Sequence, residues 1–249
     1  MKGLVLVILA LILIFILNTR RVDGFVNGNI QVVVACYNED MNWVSEEPFN
    51  GLDVVCYHKG SKEIQNCTAP NCRIESLPNI GRETHTYLYH IIENYTKLAP
   101  VTIFIPASWT DPEKKEVTLN VVDRANTTGD TVIPVYKVPD DLYGFQIDEW
   151  TSTNSGNKSN NVGSKILPCP HRPFGVWYKL NFPEFTTPWV HYKGLFAVSR
   201  EHITRKPIEY YEKLLNYVNS DSNPEAGHYI ERAWVSVFWP LPDECLIKI

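Results

Sequence analysis

The stretch GHYIERAWVSVFW sets Glu231 and Arg232 in an otherwise apolar, aromatic run, with His228 one helical turn behind them. A carboxylate in apolar surroundings has its pKa raised, which suits it to general-base work near neutrality. The same two residues would equally serve on a solvated helix face, paired with neighbours. A second candidate is VVVACYNED, where an apolar run ends on Tyr37, Asn38, Glu39 and Asp40. At the carboxyl end of a parallel strand, Asn38 and Glu39 could hold a ribose or a base edge. The alternative is that Asn38 or Asp40 caps the next helix. In LPNIGRETHTYLYHIIENY, Gly81 precedes a helical pattern whose first turn carries Arg82, Glu83 and His85. Free helix amides and an Arg make an anion site. In the other reading, Glu83 only complements the helix dipole and Arg82 pairs on the surface. Asp148 and Glu149, in FQIDEW, could ligate Mg²⁺ or Mn²⁺ with a diphosphate, or form a charge pair at a loop edge, since no D-x-D is present.

Several chemistries are excluded or disfavoured. No G-x-S-x-G, Walker A loop or H-E-x-x-H occurs, so those hydrolase, NTPase and zincin signatures are absent. The net charge of −5, without a Lys/Arg-rich stripe, gives no reason to expect a nucleic-acid partner. Seven Trp and thirteen Tyr are many for 249 residues. Those near Gly and Pro in the second half, Trp177, Trp189 and Tyr192 among them, could be carbohydrate-stacking platforms, or simply core.

The elements that must position these residues read as an α/β alternation. Strand patterns cover Ile30 to Cys36, Leu52 to Lys59, Val101 to Pro106, Thr131 to Val138 and Gly194 to Ser199. Continuous β-branched runs such as the first fit strands buried on both faces. Helical patterns cover Met41 to Phe49, Gly81 to Tyr95, Pro112 to Val122, Arg205 to Asn219 and Tyr229 to Phe238. Ser61 to Ile74 reads as a cysteine-bearing loop, and Asp148 to Ser164, rich in Ser, Asn and Gly, as a mobile one. Strands alternating with helices predict a mostly parallel sheet with right-handed crossovers. No repeat or linker divides the chain, so residues 30–249 read as one domain.

The first residues carry a different signal. Leu4 to Leu17 is unbroken apolar sequence, flanked by Lys2, Arg20 and Arg21. A bilayer core of ~30 Å calls for about 20 helical residues, so this run is short for a span and also fits a signal-peptide core. Without a small-x-small cleavage site, the favoured expectation is a signal-anchor transmembrane segment over 1–21 and a stem over 22–29. The following domain would then be lumenal or extracellular; secretion after signal-peptide removal is the alternative. Four sequons, at Asn66, Asn94, Asn126 and Asn157, agree with either. Six cysteines permit up to three disulfides. Cys67 and Cys72, around the Pro-containing loop TAPN, are the best pair, while Cys36 and Cys56 fit buried free thiols. The absence of C-x₂-C weighs against zinc.

Taken in order, VVVACYNED, LPNIGRETHTYLYHIIENY, VTIFIPAS, FQIDEW, RPFGVWY, GLFAVSREHI and NPEAGHYIERAW resemble a widespread domain family of unknown function, from Val32 to Phe238. That resemblance carries no activity. A more distant one is to GT-A glycosyltransferases, whose first strand often ends on a polar motif like YNE where the nucleotide binds. YKGLFAVSRE is similar to the acceptor-side segment of branching N-acetylglucosaminyl- and xylosyltransferases, and NPEAGHYIERAW to their late helix, which supplies a catalytic carboxylate. This resemblance implies a Rossmann-like three-layer sandwich, a nucleotide-sugar donor and a glycan or glycoprotein acceptor. It implies nucleotide contacts from Asn38 and Glu39, a diphosphate neutralised by Arg82, Arg200 and Arg232, and Glu231 as base. Some such enzymes use Mn²⁺ or Mg²⁺; others hold the diphosphate with basic residues alone. The rival expectation is a non-catalytic carbohydrate-binding or structural membrane protein on the same scaffold.

Overall fold

The computed structural model describes residues 30–61, Cys67, Ala69, 71–150 and 164–249. The expected anchor and stem, Asn66, Asn157 and most of the Asp148–Ser164 loop lie outside the described residues. Among the described residues, no helix is long and apolar enough to cross a membrane.

The centre of the molecule is a five-stranded sheet. Its strands are β1 (Ile30–Cys36), β2 (Asp53–His58), β3 (Cys72–Ser76), β4 (Val101–Pro106) and, after β5 (Ile133–Lys137), the two-residue strands β6 (Glu149–Trp150) and β7 (Ser164–Lys165) and then β8 (Trp189–Val190), the strand β9 (Phe196–Ser199). The order is β3-β2-β1-β4-β9, with β9 alone antiparallel. The chain leaves β3 through helix α1 (Arg82–Glu93) and returns as β4 on the far side of β1. The order therefore reverses between β1 and β4, where the loops at the carboxyl ends of parallel strands open a crevice for ligands.

Both faces of the sheet are buried, as the β-branched runs require. Val33, Val55, Tyr57, Phe104 and Phe196 point into one core, shared with α1, α3 (Phe174–Asn181), α5 (Ile208–Leu215) and α6 (Glu225–Val237). Val32, Val34, Val54, Ile103 and Ile105 point into the other, against α2 (Pro112–Thr128) and the Trp43, Phe49 and Trp109 cluster. Beyond β9, a smaller sheet runs β10-β5-β8, with β10 at Leu246–Lys248. An isolated bridge between Val132 and Ala197 joins it to the central sheet. The architecture is thus helices on both sides of a mostly parallel sheet.

Several expected elements change. Met41 to Phe49 forms only one 3-10 turn, Asn42–Ser45. The helix expected over Arg205 to Asn219 is shorter, α5 (Ile208–Leu215), which starts directly after its N-cap Pro207, and a separate short helix, α4 (Arg200–Thr204), precedes it. Helix α6 begins at Glu225, four residues before the expected start, directly after Pro224. Strand β3 begins inside the expected loop and runs two residues beyond it: four of its five residues are exposed, so it shows no buried alternation. Cys67 and Cys72 are disulfide-bonded beside it, with Cα atoms 5.9 Å apart. Cys36, Cys56, Cys169 and Cys245 are buried free thiols.

Candidate active site

The carboxyl ends of β1, β2 and β4, the start of α1 and the middle of α6 meet around two carboxylates, Glu83 and Glu231. Gly81 and Arg82 enter α1 with φ of 59° and 50°. A Cβ on Gly81 would stand 2.2 Å from the Val218 carbonyl oxygen, so only glycine fits. Lys193 and Gly194, opposite, have φ of 77° and 60°. A left-handed conformation is unfavourable for Arg82 and Lys193, and such strain gathers at ligand sites. The Tyr87 hydroxyl donates to Gly194 O at 2.8 Å, and the Lys193 N–H donates to Glu231 Oε1 at 2.7 Å. The Thr84 hydroxyl donates to Gly227 O at 3.3 Å, tying α1 to α6. The two carboxylates are held on elements whose spacing is fixed.

Charge converges on them. Arg82 Nε lies 3.6 Å from Glu83 Oε2, and Arg232 Nη1 lies 3.7 Å from Glu231 Oε2. Burial pushes the Glu83 carboxyl up, but Arg82, its own backbone N–H and Lys114 together outweigh it and hold Glu83 below the usual carboxylate range. Glu231 goes the other way. Burial and the Glu83 charge raise it, against the opposing pull of Arg232, Arg82 and the Lys193 N–H. Paired carboxylates pushed apart in this way separate into a permanent anion and a group able to exchange a proton. His228 is held neutral, its pKa lowered to about 3 by burial and by Arg82 and Arg232 against the pull of Glu83. Its Nε2 lies 3.1 Å from Asn223 Oδ1.

Lys59, at the end of β2, is pushed down to about 7 by burial and Arg82, with Glu83 opposing. Its ammonium donates to Ile80 O at 2.7 Å and to Arg82 O, which clamps the start of α1. Lys114, in the first turn of α2 beyond β4, donates to Ser108 Oγ at 2.9 Å and to Asp111 Oδ2 at 3.1 Å.

The β1 end supplies Asn38, half-buried against the residues that follow β2. Gly60 packs under it: a Cβ there would stand 1.6 Å from Tyr37 O and 2.2 Å from Asn38 Oδ1. Glu39 turns back, accepting from the Tyr37 N–H at 2.6 Å and the Asn38 N–H at 3.1 Å, so its carboxylate shapes the loop. Asp40 accepts from the Asn42 N–H at 3.0 Å, while Met41 takes the N-cap position of the 3-10 turn.

Other expected site residues lie elsewhere. Arg200 follows β9, which runs antiparallel to β4, and its N–H donates to Pro100 O at 2.9 Å. It sits at the opposite pole of the sheet, away from Glu231. Trp177 is fully buried against Phe174, Tyr217 and Tyr229, with no face open for stacking a sugar. Trp189 is half-buried in β8, with the Lys248 ammonium 5.3 Å from its ring. Asp148 pairs with Arg172 at 2.8 Å, so a guanidinium stands where a metal was expected; Glu149 is exposed in β6. The Asn94 amide donates to His90 O at the end of α1, and Asn126 lies within the last turns of α2.

A cleft of about 410 Å³ opens beside Arg232, lined in part by Asp141, Phe145, Gln146 and Tyr192. The Arg232 guanidinium lies 3.8 Å from the Phe145 ring centre and 5.3 Å from that of Tyr192. Tyr192 is therefore the expected stacking residue that reaches the candidate site.

Glu83, Lys59 and Lys114 were not singled out as site residues from sequence. Lys59 carried the signal already used for Asn38, a polar residue closing a strand-like run. Glu83 is separated from Glu231 by the whole second half of the fold, and a helix-dipole role accounted for it locally. No curated protein matches the chain. The family model described as "Protein of unknown function (DUF3431)" matches residues 32–127, the segment from β1 to the end of α2 that carries Asn38, Lys59, Arg82, Glu83 and Lys114 but not Glu231.

Proposed function

We propose that the chain is a glycosyltransferase of GT-A-like design, moving a sugar from a nucleotide-sugar to a glycan or glycoprotein hydroxyl. The observation that carries this reading is the Glu83–Glu231 pair, one held down and one pushed up, among Arg82, Arg232 and Lys114 at the strand-order reversal. In the reaction, Glu231 takes the proton of the acceptor hydroxyl as its oxygen attacks the anomeric carbon. The bond from that carbon to the phosphate oxygen breaks, and the nucleoside diphosphate leaves with the electron pair. Arg82 and Lys114 stabilise the developing charge. Asn38 faces the nucleoside. Because Asp148 is already paired with Arg172, these cations are the better candidates for the diphosphate than an Asp148–Glu149 metal pair. The apolar run over 1–21 would anchor the domain to a membrane, facing the lumen.

A panel of nucleotide-sugars tests this. Stabilisation by one nucleoside diphosphate and transfer or hydrolysis of its sugar are expected; absence of both across the panel refutes it. A second reading rests on the Phe145–Arg232–Tyr192 stack: a carbohydrate-binding protein without turnover. It predicts glycan binding with no nucleotide-induced thermal shift.

A further inference from the structure

At the pole of the sheet opposite the candidate active site, three chain segments meet that are far apart in sequence. Asp130 precedes β5, Cys245 precedes β10, and His202 lies in α4 directly after β9. Strands β5 and β10 are parallel, with Ile133 opposite Leu246, so their starts lie side by side. The bridge from Val132 to Ala197 brings β9 alongside. One carboxylate oxygen, one imidazole nitrogen and the Cys245 sulfur consequently lie within 4.8 Å of one another.

Three oxygens crowd one ring nitrogen there. His202 Nδ1 is 2.7 Å from Thr131 Oγ1, 2.8 Å from Ser199 Oγ and 3.4 Å from Asp130 Oδ1. The two hydroxyls are also 3.2 Å apart and accept the Ser199 and His202 N–H groups, so this side of the ring is satisfied. On the other side of the ring, His202 Nε2 is buried without a hydrogen-bond partner among the described residues, although His202 is only 2% exposed. Buried polar atoms left in this state call for an explanation.

We propose that Asp130, His202 and Cys245 bind a divalent zinc ion that staples the C-terminal segment to the end of the sheet. A thiolate, a carboxylate and a neutral imidazole cancel the charge of the ion and form a tetrahedral O/N/S set with one position left. Thr131 and Ser199, which hold His202 Nδ1, would fix the orientation of the ring. The sulfur selects against Mg²⁺ and Ca²⁺. Sequence spacing concealed the site because its ligands come from three elements and include no C-x₂-C.

The test is metal analysis of the purified full chain, stripped with chelator and resupplied with Zn²⁺. One retained zinc per chain and a raised Tm are expected, with no such effect from Mg²⁺. Cobalt in place of zinc should give thiolate-to-metal charge-transfer absorption. Cys245→Ser should abolish that absorption and the zinc-dependent shift. Asp130→Asn, at a half-exposed position, should weaken zinc binding at least tenfold while the apo protein melts as before. Retention of no zinc by the wild-type chain, or equal retention by both variants, overturns the proposal.

Discussion

Glu83 and Glu231 lie in one charged cluster and are displaced in opposite directions, Glu83 below the usual carboxylate range and Glu231 above it. The Glu83 charge is itself a cause of the Glu231 shift, so the two act as a unit. For a glycosyltransferase, the raised group is the base and the depressed one keeps it raised.

Glu231→Gln should therefore lower turnover by ~10²–10⁴, the range general-base catalysis contributes, and leave nucleotide affinity within threefold or so. Calorimetry beside a transfer assay checks this. Full activity in the variant would remove Glu231 from the mechanism.

The pH profile gives a second prediction. A base works when deprotonated, so activity should rise with pH through the raised pKa of Glu231. Glu83→Gln removes a charge that raises that pKa; Glu231 should then titrate lower and the acid limb of kcat should move to lower pH. An unmoved limb, or one displaced upward, would show that the limb belongs to another group.

Stability should also fall on mild acidification, for a separate reason. Burial lowers His85 and His191 to about 4, and His90 and His228 to about 3. The unfolded chain protonates these rings near pH 6.5, the folded chain only far below. Between those values the unfolded state binds more protons, so stability is complete above about pH 6.5 and declines as pH falls towards 4. Each group contributes on the order of 1 kcal/mol per pH unit there. Melting between pH 7.5 and 5 should show a steep loss of Tm; a flat profile would contradict neutral burial.

Glu225 is a structural counterpart to Glu83 and Glu231. It is wholly buried, and its carboxylate accepts from the Ile147 N–H at 2.9 Å, the Cys169 N–H at 2.8 Å, the Tyr229 hydroxyl at 2.8 Å and Arg172 at 3.1 Å. Glu225→Ala would strand the two N–H groups and the hydroxyl and leave Arg172 with Asp148 alone among its carboxylates, and should cost about 3–5 kcal/mol. Chemical denaturation measures it, and a loss under ~1 kcal/mol would mean that water replaces the carboxylate.

What the sequence disclosed follows from locality. The strands β1, β2 and β4 were legible because their β-branched runs are buried on both faces, and α1 because its apolar residues recur every three or four positions. The exposed edge strand β3 and the short strands β8 and β10 carry no such periodicity. Within the site, Asn38 and Glu231 stood out through their immediate surroundings. Lys114 and Glu83 become site residues only once β1 and β4 are neighbours, and no local pattern encodes that. Arg200 is placed apart from Glu231 for a topological reason: β9 runs antiparallel, which carries the end of GLFAVSR to the opposite pole of the sheet.

That reversal yields the last prediction. Arg82 and Arg200 were equivalent candidates for holding a diphosphate, and only Arg82 stands at the carboxyl ends of β1 and β4. On the proposed function, Arg82→Ala should weaken nucleoside diphosphate binding at least tenfold, about 1.4 kcal/mol, since it removes a cation from the candidate site. Arg200→Ala should leave affinity unchanged, because the side chain is exposed and its backbone anchor to Pro100 survives the substitution. Titrations of both variants under one salt condition decide the matter. Equal losses would mean the anion binds elsewhere, and a loss confined to Arg200 would put the nucleotide at the opposite pole, beside Asp130 and His202.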